Sequence, residues 1–254
     1  MIHRTIHFLR RAIGTEKLLR HQQIFLGKLE SIENVQREVL MAQIFNNTIH
    51  ESPWLKWKNF SPTEWSLNYN ALYYLYKILD LTHPLSILEF GLGQSSKMIY
   101  QYTLFHPGTT VLTYEHDEKW IEFFEKQAAP FFERENLFLS KLEEIIINGK
   151  KTLSYKNNCE ELKDRKFDLI LVDGPFGQEH YSRPQILNII PACIKRENFI
   201  IMIDDVERVG EQETIMALLD IFKINGIDCI YNTYSTTKSF CIICSPNLRY
   251  ITTV

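Results

Sequence analysis

The sequence predicts an α/β protein built on a mostly parallel sheet with helices on both faces. Three observations predict it. Near-continuous apolar runs, Ile87 to Phe90, Phe167 to Val172 and Phe199 to Ile203, read as strands covered on both sides. Stretches with helical spacing alternate with these runs, which is the pattern of βαβ units. The last two strand-like runs, Ile227 to Tyr234 and Ser239 to Cys244, are separated only by a short polar turn, so the sheet should end in an antiparallel hairpin.

The totals bound the rest. A chain of 254 residues can bury one good core. We expect a helical N-terminal extension over 1–60 and the α/β domain over 61–254. The net charge of −3 offers no footprint for nucleic acid. Five cysteines, an odd number lying mostly in apolar runs, read as reduced core residues. Cys241 and Cys244 form C-x-x-C, but within a strand, and no second pair completes a zinc site. No apolar stretch reaches the length of a membrane span, and the first residues lack the unbroken apolar core of a secretory signal. The expected location is the cytoplasm.

In order along the chain, Ile2, Ile6, Leu9 and Ile13 recur at helical spacing, with Arg4, Arg10 and Arg11 among them. Such a basic amphipathic helix suits a membrane surface. The reading we favour is a helix that docks, or that pairs with a second subunit in a homo-oligomer. From 16 to 47 few residues break a helix, and Leu18, Phe25, Leu29, Ile32 and Val39 lie on a broken apolar stripe. Pro53 and Pro62 then bracket the aromatic residues Trp54, Trp57 and Phe60, with Trp65 just beyond. This group reads as packing between extension and domain, or as the wall of a sugar or cofactor pocket. A helix is expected over about 64–80, capped by Ser61 or Thr63.

The central strand, Ile87 to Phe90, breaks into Gly91-Leu92-Gly93 and then a helix start at Ser95. The glycines allow a tight turn and close approach of a ligand to the main chain, and free N–H groups at a helix start favour a polar or anionic group. Glu89 stands at the strand's end. A second strand, Thr110 to Tyr114, leads to Glu115, placed as the ribose-binding acid of nucleotide folds is placed. Asp117 should cap the next helix. Leu137 to Leu139 reads as a third strand, and Asn148-Gly149 as the tip of a hairpin insertion. The fourth strand ends at Asp173-Gly174-Pro175, in a loop that also carries His180, Tyr181 and Arg183. A helix over 184–195 should follow. The fifth strand ends in Asp204-Asp205, and a last helix is expected over about 210–224 before the hairpin.

Glu89-Phe90-Gly91-Leu92-Gly93 resembles motif I of the class I S-adenosylmethionine-dependent methyltransferases, an acid followed by G-x-G. Glu115 matches their motif II. The resemblance covers roughly residues 64–246 and implies a Rossmann-like, seven-stranded sheet and S-adenosyl-L-methionine as cofactor. It assigns cofactor contacts to Glu89, Gly91, Gly93, Ser95, Glu115, Ser140 and Asp173. An Asp after strand four and an Asp pair after strand five are similar to the divalent-cation site of catechol-type O-methyltransferases, here Asp173, Asp204 and Asp205. The hard oxygen ligands would suit Mg2+ or a similar ion. The loop Gly174-Pro175-Phe176-Gly177 departs from those enzymes, and Asp173-Gly174-Pro175 is also similar to sugar methyltransferases.

Methyl transfer to a hydroxyl needs an acceptor held in line, water excluded, and the hydroxyl proton removed. Asp173, His180 and Asp205 are the candidate catalytic groups. The expected reaction is O-methylation of a saccharide or other polar small molecule, and Pro62-Thr63-Glu64-Trp65 together with the Asp173 loop resembles bacterial enzymes that modify surface polysaccharides. Two rivals remain at this stage. An aminopropyltransferase shares the fold but calls for paired acids not evident after strand four. A non-catalytic relative would use its N-terminal helices and tryptophans to hold a partner. Ser96 at the third glycine position disfavours a nicotinamide enzyme.

Overall fold

The computed structural model describes residues 14–62, 65–128, 130–132, 134–156, 162 and 164–253. The basic stretch from Ile2 to Ile13 and the expected cap Thr63 lie outside the described residues.

The chain opens with one long helix, α1 (Thr15–Ile49). Then follow α2 (Tyr69–Thr82), β1 (Ser86–Phe90), α3 (Gln94–Phe105), β2 (Thr110–Glu115), α4 (Glu118–Ala128) and β3 (Leu137–Leu139). The hairpin β4 (Leu142–Ile147) and β5 (Lys150–Tyr155) is inserted before β6 (Leu169–Val172). The remainder is α5 (Gln185–Ile189), β7 (Ile200–Asp204), α6 (Val209–Ile224), β8 (Ile230–Ser235) and β9 (Ser239–Cys244). Seven strands form one sheet in the order β3-β2-β1-β6-β7-β9-β8. All neighbours are parallel up to β7, and β9 runs antiparallel to both β7 and β8.

Side chains alternate between the faces of a strand, so each buried strand feeds two cores. Ile87, Leu169, Leu171, Met202 and Ile242 lie in one core, with Leu75 of α2, Ile99 of α3 and Phe124 of α4. Leu88, Phe90, Ile170, Val172, Ile201 and Ile243 lie in the other, with Ile186 of α5 and Leu218 of α6. Cys244 belongs to the first and Cys241 to the second, so the C-x-x-C pair faces opposite ways and cannot close on itself.

The first core reaches into the extension. Phe45, Ile49, Trp54, Leu55 and Phe60 are all part of it. Trp54 stacks on Tyr76, with ring centroids 5.1 Å apart, and its indole N–H donates to Asp80. The Gln101 side-chain carbonyl accepts the backbone N–H groups of Lys56 and Trp57. Glu38 anchors the end of α1 by accepting the Tyr69 N–H and the Thr236 hydroxyl. Three of the four expected tryptophan-cluster aromatics are therefore packing, whereas Trp65 is 82% exposed.

Several boundaries differ from expectation. The helix expected from 64 begins at Tyr69, because the Asn68 side chain accepts the Ala71 N–H and caps it there. The helix expected over 184–195 stops at Ile189. Pro191 has no N–H to continue it. The hairpin insertion has its turn at Asn148-Gly149, where both residues have positive φ. Among the described residues no helix is long and apolar enough to cross a membrane.

Candidate active site

Every candidate loop leaves the same edge of the sheet, because β1, β2, β6 and β7 are parallel and the loops follow their C-terminal ends. From β1 the chain moves to β2 and β3 on one side and later to β6 on the other. The crevice between the β1 and β6 loops is thus the topological switch point, where open α/β sheets bind ligands. A cavity of about 580 Å³ opens there, lined by Gly91, Leu92 and Gly93, by Glu115 and by Asp173 and Asp205. This volume suits a nucleoside-sized ligand with room beside it.

The two loops touch through their glycines. Gly91 has φ +98°, and a Cβ there would stand 2.8 Å from the Gly174 nitrogen. A Cβ on Gly174 would stand 2.7 Å from the Gly91 Cα and 2.7 Å from the Tyr155 hydroxyl. Backbone sits against backbone, so neither position tolerates a side chain.

Glu115 holds the Gly91 loop in place. Its Oε2 accepts the Leu92 N–H at 3.0 Å, and its Oε1 accepts the N–H groups of His116 and Asp117 at 2.6 and 2.9 Å. Burial opposes its charge, but the His116 ring and these N–H groups outweigh it and hold the carboxyl below its usual range. The same contact raises the His116 pKa, against the effect of burial. Asp117 caps α4 as expected, accepting from Lys119 and Trp120. The Trp120 indole N–H donates back to the Leu92 carbonyl, and Trp120, Phe123, Phe176 and Trp65 give the cavity an aromatic mouth.

Glu89 sits differently. It is fully buried and does not line the cavity. Its Oε1 accepts the Ser95 hydroxyl at 2.7 Å and its Oε2 accepts the Thr113 hydroxyl at 3.0 Å. Burial pushes its pKa up to about 7, although the hydroxyls of Ser95, Ser96 and Thr113 favour the charged form. Ser95 is buried with it. Ser140 also lies outside the cavity lining, its hydroxyl donating to the Lys156 carbonyl.

Asp173, Asp204 and Asp205 do meet, each offering an oxygen within 4.8 Å of the others. They meet around two cations, the buried Arg183 and the partly buried Lys238. Arg183, from the loop after β6, lies 2.6 Å from Asp205 and 3.5 Å from Asp173. Lys238, from the β8–β9 turn, lies 2.8 Å from Asp204 and 2.7 Å from Asp205. Arg208 adds a third contact to Asp205 at 3.0 Å. Burial and the neighbouring Asp204 push the Asp173 pKa well up. Burial likewise raises that of Asp204, despite Lys238. Asp205 is held low: burial opposes its charge, but Arg183 and Lys238 prevail. A divalent ion placed among these carboxylates would stand beside two cations already paired with them, the buried Arg183 and the partly buried Lys238. The residues present fit the divalent ion expected at Asp173, Asp204 and Asp205 poorly, because Arg183 and Lys238 already contact the carboxylates that would bind it and offset two of their three charges.

Among the expected catalytic groups, Asp173 and Asp205 line the cavity and His180 does not. The His180 ring is turned to Glu213, 3.2 Å away. The sequence reading missed Tyr155, Arg183, His116 and Lys238 as site residues. The loop position of Arg183 was a usable signal. Nothing marks Lys238 in a polar turn as different from a solvated lysine. Tyr181, Arg183 and Asp205 all have positive φ, an uncommon conformation for residues other than glycine, and all lie in the loops around this cluster.

No family model matches this sequence, and no curated protein does. Among solved structures, a candidate O-methyltransferase from Klebsiella pneumoniae aligns over 86% of this chain and 98% of its own, with a TM-score of 0.50 and 16% identity. A candidate caffeoyl-CoA O-methyltransferase from Staphylococcus aureus covers 88% and 99% at a TM-score of 0.49 and 16% identity. The first of these shows that the chain has the methyltransferase fold that motif I implied. At this identity the likeness extends to the fold and not to a substrate.

Proposed function

We propose that this chain is an S-adenosylmethionine-dependent O-methyltransferase acting on a hydroxyl of a polar small molecule, with a saccharide the favoured class. One observation carries the reading: the Gly91 loop, the motif II acid Glu115 and Asp173 border one cavity at the switch point of the sheet. The cofactor would supply a methyl group activated by its sulfonium. Gly91 and Gly93 would let it approach the main chain, and Glu115 would accept hydrogen bonds from its ribose. The aromatic mouth at Trp65, Trp120 and Phe176 would exclude water and offer flat apolar faces, which supports an acceptor such as a sugar ring.

Asp173 is the group best suited to take the acceptor's proton. It borders the cavity, and burial makes its carboxylate a stronger base than an ordinary aspartate. Asp205 is held by Arg183, Lys238 and Arg208, and its lowered pKa makes it a weak base and an anchor. Its part in this reading is to fix Arg183 beside Asp173.

Calorimetric titration with S-adenosylhomocysteine tests the proposal. Micromolar binding is expected for the native chain. Glu115→Ala should lose roughly 1.5–3 kcal/mol of it, the worth of hydrogen bonds to a charged acceptor. No binding by the native chain would overturn the reading, and an unchanged dissociation constant in Glu115→Ala would remove that residue from the site.

A further inference from the structure

Helix α1 presents a surface that the body of the protein cannot cover. Every residue over 17–33 is exposed, a rod of roughly 25 Å at 1.5 Å per residue. Leu18, Phe25, Leu29, Ile32 and Val39 lie along it, each between 46% and 66% exposed. The face that docks on the body carries Asn34, Glu38, Met41, Phe45 and Ile49. At about 100° per residue, the two faces point in opposite directions. An unsupported helix of this length is marginal in water, and Gly27 in its middle weakens it further.

The spacing suits a second helix. Leu18, Phe25, Ile32 and Val39 follow one another by seven, the repeat of a coiled-coil seam. With these at d, Gln22, Leu29 and Gln36 fall at a, and Leu19, Leu26 and Leu40 widen the seam on its e side. Lys28 then takes a g position and Glu33 the e position five residues on. Two such helices side by side in parallel would set Lys28 of each against Glu33 of the other. An antiparallel pair would set e against e and g against g, without that match. A membrane surface suits the helix less well. Lys17, Arg20, Lys28 and Arg37 are balanced by Glu16, Glu30, Glu33 and Glu38, where a surface-bound helix carries a cation excess.

We propose that α1 pairs in parallel with α1 of a second copy, so that the protein is a homodimer joined by a two-stranded coiled coil. This does not rest on the methyl-transfer reading. Light scattering and sedimentation of the full chain at micromolar concentration should give the mass of a dimer. Phe25→Glu combined with Ile32→Glu should give a monomer whose near-UV circular dichroism matches the native chain. Lys28→Glu should weaken the dimer about tenfold, and adding Glu33→Lys should restore it. A dimer that survives the double glutamate variant overturns the proposal, as does a charge reversal that fails to restore. A native chain that stays monomeric also overturns it. Co-sedimentation of that monomer with phosphatidylglycerol vesicles would assign the seam to a lipid surface instead.

Discussion

Glu89 and Glu115 stand at or next to the end of a central strand, yet the fold shifts their pKa values in opposite directions. Glu115 is surrounded by N–H donors, which favour its charge. Glu89 has only the hydroxyls of Ser95, Ser96 and Thr113 beside it, and burial dominates. The folded state therefore binds a proton at Glu89 more tightly than the unfolded chain does. The contribution of Glu89 to stability falls as pH rises from about 4.5 to about 7, and above that it costs roughly 3 kcal/mol. Glu89→Gln should remove this part of the pH dependence. Urea melts of the two proteins at pH 5 and pH 8 should differ mainly at pH 8, with the variant more stable. A pH dependence identical in both would show that Glu89 stays ionised. That acids stand at these strand ends is legible in the sequence. Which one faces donors is not, because Ser95 and Thr113 reach Glu89 only once α3 and β2 have packed.

The crevice is set by two loops whose backbones touch, and this contact governs how far apart β1 and β6 can hold their ligand groups. Gly174→Ala would press a methyl group on the Gly91 backbone and the Tyr155 hydroxyl, at 2.7 Å from each. The cost should be about 1–3 kcal/mol of stability, as for other overpacked sites, read as a lower denaturant midpoint. S-adenosylhomocysteine affinity should fall as well, because the Gly91 loop must shift. A variant with native stability and affinity would show that the loops part freely. The requirement at Gly91 is partly visible in the sequence, from the turn between strand and helix. That at Gly174 is not, since its reason lies in a residue far away along the chain. Elements with strong periodicity, such as β6, β7 and α6, could be placed from sequence. The start of α2 could not, because Asn68, which caps it, is also held by the Thr236 hydroxyl of the hairpin turn, a residue remote in sequence.

Across the whole molecule, charge is balanced by parts remote in sequence. Asp173, Asp204 and Asp205 leave β6 and β7, Arg183 returns from the loop before α5, and Lys238 arrives from the last hairpin. With two organic cations already in place, the methyl transfer proposed above should be unaffected by EDTA or added Mg2+, and the thermal midpoint should not rise with Mg2+. Activity lost in EDTA and restored by Mg2+ would show that Lys238 and Arg183 yield to a metal. By itself the sequence determined the alternating architecture, the hairpin finish, the Gly91 turn and the acids at the strand ends, since these follow from local periodicity and from backbone sterics. Only the tertiary structure decided which acids face the cavity, that the aspartates meet lysine and arginine, and that the apolar stripe of α1 points away from the body. Those depend on burial and on distances between residues far apart in the chain, and no local pattern encodes either.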